Sequence, residues 1–200
     1  MNKKPLPTIG VDKYTFFKVL TDGAEGTTYG TPVSLKGTVQ ISPTDNGGED
    51  VFDADNGIYE VETYIEKIGH EIENADIPPE VDAEWRGLER VNGAVLVSKE
   101  ISRTYFGVAW RILKSDGTYR YVKYFKGSYS FASNVGGKTK PSSGSADKQT
   151  AKATYTAVHR DSDDNIYMYI DQADAEANEG FTTLEDFEAA WFGDMDTLIN

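Results

Sequence analysis

Between Phe106 and Ile112 every even-numbered residue is apolar: Phe106, Val108, Trp110 and Ile112. A period of two places those side chains on one face of an extended strand, and Ser115-Asp116-Gly117 directly behind it brings the Asp-Gly pair favoured in tight hairpins. The partner run, from Thr118 to Lys126, is rich in tyrosine and interleaved with cations, as cross-strand aromatic and cation contacts in a sheet require. The same period recurs at Leu35, Gly37, Val39 and Ile41, at Ala153, Tyr155 and Ala157, and at Ile166, Met168 and Ile170. Tyr14 to Leu20 reads as a first strand, Ala94 to Val97 as a brief one, and Asp161 to Asn165 as a turn. A mainly β chain follows.

The clearest hairpin lies earlier. Val51, Phe52, Asp53, Ala54 and Asp55 precede Asn56-Gly57, and Ile58, Tyr59, Glu60, Val61 and Glu62 follow it. Asn-Gly suits the positive φ angles of a type I′ turn. The segment before it, Pro43 to Asp50, has too little apolar surface to bury and reads as a loop, so residues 43–64 are expected to project. Beyond the hairpin the apolar parity changes from odd (Tyr59, Val61, Ile65) to even (Ile68, Ile72), which demands a bulge or a strand switch near Lys67 or Gly69.

Two short helices are expected. Ile77 to Leu88 has Asp76 as a cap, two prolines allowed in a first turn, early acids, and Val81, Trp85 and Leu88 at helical spacing. Thr182 to Gly193 offers a capping box from Thr182 to Glu185 and a glycine stop. Residues 134–149, rich in Gly, Ser and Lys, read as a mobile loop, while residues 1–13 and 193–200 read as extended terminal arms on a single domain spanning 1–200.

The formal charge of −13 disfavours tight binding to nucleic acid or anionic membranes, which depends on Lys and Arg. With no cysteine there is neither a disulfide framework nor a thiolate metal site. No stretch of about 18 apolar residues occurs, and the basic start lacks an apolar run behind it, so synthesis in a cytoplasm is expected.

Sequence patterns for chemistry are weak. Gly137-Lys138-Thr139 resembles the end of a phosphate-binding loop, but Ala132 stands where its first glycine belongs. Asp161, Asp163 and Asn165 mimic the start of a calcium loop that then has Ile166 for its glycine and Gln172 for its bidentate glutamate. His70 and His159 both fall on expected strands, where packing on a strand face is the simpler role. No catalytic, cofactor or metal residue is assigned, and a non-enzyme is expected.

The whole layout resembles the major tail tube proteins of long non-contractile (siphovirus-type) phage tails, particularly those of phages of Gram-positive hosts. The likeness runs from Gly10-Val11 through Tyr29-Gly30-Thr31-Pro32-Val33-Ser34-Leu35-Lys36-Gly37 and Ile77-Pro78-Pro79-Glu80-Val81. It is densest from Phe106 to Gly127 and ends at the helix closing on Trp191-Phe192. The resemblance implies a β-sandwich or barrel-like core with a flanking helix, a virion protein whose hexameric rings stack into a hollow tube. It also implies contact with other tail proteins such as a tape measure and a terminator, no membrane partner, and DNA passing the lumen without specific binding. Under it, Val51, Phe52, Asp53, Asp55, Asn56, Gly57, Tyr59 and Val61 would form an inter-ring stacking hairpin, and the terminal arms would tie subunits together. The competing expectation is a non-catalytic β-sandwich binding module for a host surface or carbohydrate, using exposed tyrosines and tryptophans as stacking platforms.

Overall fold

The computed structural model describes residues 5–99, 101–130 and 135–199. Twelve strands and three helices follow one another in these residues. They are β1 (Thr8–Gly23), β2 (Gly26–Tyr29), β3 (Val33–Ser34), β4 (Thr38–Pro43), β5 (Asn46–Ala54), β6 (Gly57–Asn74), α1 (Pro79–Arg86), β7 (Glu89–Val91) and β8 (Ala94–Leu96). β9 (Phe106–Lys114), β10 (Tyr119–Ser130), β11 (Ala151–Val158), β12 (Tyr167–Asp171), α2 (Gln172–Glu176) and α3 (Leu184–Gly193) complete the chain. The protein is mainly β, built on one large antiparallel sheet.

That sheet runs β2-β1-β9-β10-β11-β6-β4, with β3 added to β1, β12 to β10 and β5 to β6. The 33–43 segment joins its two ends. β3 pairs with β1 (Thr15 with Ser34, Phe16 with Val33), the Leu35 amide donates to the Tyr14 carbonyl at 2.8 Å, and β4 then pairs with β6. The sheet therefore curls over on itself around an aromatic interior. Gly37, at φ +87°, makes the step from one partner strand to the other, and the strand expected over Leu35 to Ile41 begins only at Thr38.

Period-two alternation sorts β9 and β10 into two cores. Phe106, Val108 and Trp110 face the interior with Val122, Tyr124 and Tyr129, while Ala109, Tyr121 and Phe125 face outward beneath α3. Inside, Trp85 of α1 stacks flat on Tyr129 at 3.9 Å, so the helix lies against the aromatic interior. Outside, Phe187 and Trp191 of α3 are fully buried over Tyr121. All three tryptophans are thus core residues.

Helix ends differ from the sequence expectation in detail. Pro78, not Asp76, occupies the N-cap of α1 without a side-chain cap, while Gly87 (φ +64°) closes it in the left-handed conformation. A Cβ on Gly87 would lie 1.8 Å from the Ser102 carbonyl oxygen, so only glycine fits. The box on α3 sits one residue later than expected, with Thr183 Oγ1 accepting from the Asp186 amide at 3.1 Å and donating to its carboxylate at 2.8 Å.

Of the terminal arms expected at 1–13 and 193–200, residues 1–4 and 200 lie outside the described residues, and the described parts are corrected. Residues 8–13 are not an arm but the first part of β1, paired with β9 from Thr8–Lys114 to Asp12–Arg111. At the other end Met195 and Thr197 are buried, and the Lys123 ammonium donates to the Asp194 carbonyl at 2.6 Å. That lysine lies 4.3 Å from the Trp191 ring centroid, and burial brings its pKa down to about 7. The C-terminal segment from 193 to 199 therefore closes the outer core. Of residues 134–149, position 134 lies outside the described residues, and 135–149 carry no strand or helix.

Candidate assembly surface

β6 is an 18-residue strand with two kinds of surroundings. Its second half is built into the core: Ile68, His70, Ile72 and Asn74 are buried, with β11 on one side and β4 on the other. A Cβ on Gly69 would meet the Tyr155 carbonyl oxygen at 2.1 Å, so the strand approach here requires glycine. His70 is held by Tyr14, whose hydroxyl lies 2.9 Å from Nε2 and 2.7 Å from the Tyr129 hydroxyl, and its ring stacks on Tyr155 at 4.9 Å. Complete burial pushes the imidazole down to a pKa of about 3, so it is neutral at physiological pH.

The first half leaves the core and pairs with β5 as a two-stranded ribbon. The pairing shifts at Asn46–Lys67 and Gly47–Ile65, where β6 carries an extra residue, so the parity change expected near Lys67 is present as a register irregularity. The loop expected over Pro43 to Asp50 is largely strand. Gly47 and Gly48 pair with Ile65 and Tyr64, and the Tyr64 ring lies over Gly48, supplying from across the ladder the side chain that glycine lacks. The tip is also displaced by one residue: Asp55 (φ +51°) and Asn56 (φ +63°) occupy the two left-handed positions, and Gly57 already pairs with Ala54. Asp55-Asn56 satisfies the same type I′ geometry that Asn56-Gly57 suggested.

The eight residues expected to form a hairpin surface, Val51, Phe52, Asp53, Asp55, Asn56, Gly57, Tyr59 and Val61, are brought together on this ribbon and all are exposed. Alternation gives it two faces. Val51 pairs with Val61, and a second register shift, between Phe52–Glu60 and Asp53–Ile58, brings Ile58 opposite Asp53 onto that side with Ile65, exposing 69% of each isoleucine. The other side carries Asp50 opposite Glu62 and Phe52 opposite Glu60, with Tyr59 edge-on to Phe52 at 6.2 Å. Between 46 and 65 the ribbon holds Glu49, Asp50, Asp53, Asp55, Glu60 and Glu62 and no lysine or arginine. Directly opposed carboxylates and exposed isoleucines both disfavour the isolated ribbon. From sequence Ile58 and Ile65 read as strand residues but not as part of the stacking surface, and Tyr64 is not singled out at all.

The weaker sequence patterns fall elsewhere. Lys138 in Gly137-Lys138-Thr139 is tied by its backbone to the Gln149 amide at 2.7 and 3.2 Å, with no strand or helix beside it. Asp163 is engaged by Arg160 and Asn165, and the Asp161 amide by Asp22, which accounts for that turn without a cation. His159 lies just past β11 and is exposed. Along the basic strand, Tyr121 and Lys123 are buried rather than displayed. Among the described residues no group of three or more potential metal ligands occurs, and no helix is long and apolar enough to cross a membrane. No family model matches the chain, and no curated protein matches it either.

Proposed function

We propose that this protein is a self-assembling structural subunit, one that forms the tail tube of a long non-contractile phage tail by stacking hexameric rings. The β5–β6 ribbon is the observation that carries the reading. A two-stranded ribbon is marginal alone in water, and this one presents four exposed branched apolar residues on one face and opposed carboxylates on the other. Covering by another subunit removes the first liability and supplies cations for the second. The ribbon grows from a strand fixed in the core, which gives a projecting element a stiff mounting.

The rest of the chain fits that role. A net charge of −13 suits the wall of a conduit that a polyanion crosses without sticking. Rings place otherwise open strand edges, such as the outer edge of β5, at joints between copies. In this reading the partners are further copies and other tail proteins, and the site of action is the virion.

Negative-stain microscopy of the purified chain over a concentration series tests it. Rings or tubes of uniform diameter are expected. A strictly monomeric species at every concentration overturns the reading.

A further inference from the structure

In this acidic chain the cations near the core are mostly engaged: Arg111 and Lys13 on Glu188, Arg120 and Lys114 on Asp171, and Arg160 on Asp163 and Asp196. Arg90, Lys99 and Arg103 are different. All three are exposed, and among the described residues none has an ion-pair partner. They belong to the β7–β8 hairpin and to residues 97–99 and 101–103, which follow it. Arg90 pairs with Val95 across that hairpin, and the Ser102 carbonyl packs tightly against Gly87 at its base. Val91, Leu96, Val97 and Ile101 are exposed on the same segment.

Exposed apolar side chains with three unengaged cations, against two acids in the same stretch of sequence (Glu89 and Glu100), complement the β5–β6 ribbon, which has apolar side chains, six carboxylates and no cation. Lys138, Lys140 and Lys148 are also without ion-pair partners among the described residues, but the segment around them exposes no large apolar residue except Val135. Lys18, Lys36 and Lys67 lie on separate segments.

We propose that the β5–β6 ribbon of one copy docks on the β7–β8 hairpin and the residues that follow it on a second copy. The ribbon's carboxylates meet Arg90, Lys99 and Arg103, and its Val51–Val61 face covers exposed apolar residues such as Leu96 and Val97. This rests on the assembly reading above and names the surface that receives the ribbon. Because ribbon and receptor are different surfaces, the contact is heterologous, and repeated copies close into a ring or extend as a filament. Opposite charge also steers the encounter and makes it salt-sensitive.

Sedimentation velocity with four variants decides it. Arg90→Glu, Lys99→Glu and Arg103→Glu together are expected to raise the concentration for half-assembly by at least about tenfold, as are Asp53→Lys, Glu60→Lys and Glu62→Lys together. Joining both sets in one chain is expected to bring that concentration back to within about threefold of the parent, because the charge pattern is swapped and not lost. Lys138→Glu, Lys140→Glu and Lys148→Glu together should leave it unchanged. If a reversal set fails to fold by circular dichroism, Arg90→Gln, Lys99→Gln and Arg103→Gln takes its place, with a smaller loss in the same direction. A parent that assembles alongside a receptor variant that assembles equally well overturns this interface while leaving the assembly reading intact. A parent that never assembles overturns both.

Discussion

The two halves of β6 share one backbone and differ in almost everything else. From Ile68 onward the strand has a neighbour on each side and buried side chains at Ile68, His70, Ile72 and Asn74. From Gly57 to Ile65 it has one neighbour, β5, and its side chains are exposed. The inner half is specified by packing within the subunit. The outer half satisfies its backbone by pairing but leaves its side chains to be satisfied from outside. An exposed isoleucine there and a buried one at Ile72 obey the same physics, and only the covering surface differs.

Two glycines on this strand give the sharpest contrast. Gly69→Ala drives a Cβ into the Tyr155 carbonyl and is expected to cost about 1–3 kcal/mol of stability in urea unfolding. Gly57→Ala, with nothing within 4 Å, should stay within about 0.5 kcal/mol. Equal effects would erase the distinction between the halves.

Mild acid probes the inner half. The folded pKa of His70, about 3, lies below its unfolded value near 6.5, so the native state binds fewer protons and its contribution is complete only above the unfolded value. Stability should fall by roughly 1 kcal/mol between pH 6.5 and 5.5, and His70→Gln should lose the slope in that window. Fluorescence-monitored unfolding at each pH reads this directly. The smallest effect on stability belongs to the outer half: Phe52→Lys with Val61→Lys should shift unfolding by less than about 0.5 kcal/mol yet weaken stacking in the microscope. Unchanged tubes would remove the ribbon from the joint.

Sequence periodicity revealed most of the sheet because a half-buried strand writes its burial into alternate residues, as from Phe106 to Ile112. It failed where other forces decide. Residues 43–50 lack apolar content, yet Asn46 to Asp50 form strand because backbone pairing with β6, aided by Tyr64 over Gly48, is enough. The terminal segments looked like arms because composition does not show that Thr8 can pair with Lys114, or that Met195 fills the outer core. At the candidate surface the eight named residues do gather. Arg90, Lys99 and Arg103 were not picked out, since a charge without partners becomes visible only when the other cations are seen engaged.

The extra residue in β6 near Lys67 carries a consequence for how such a surface changes over time. It is a phase joint: inserting or deleting one residue at 65–67 turns the ribbon's two faces over while leaving every pair from Ile68 onward in register. A lineage can thus exchange an outward apolar face for an outward acidic one in a single step of length, with no cost to the core behind it.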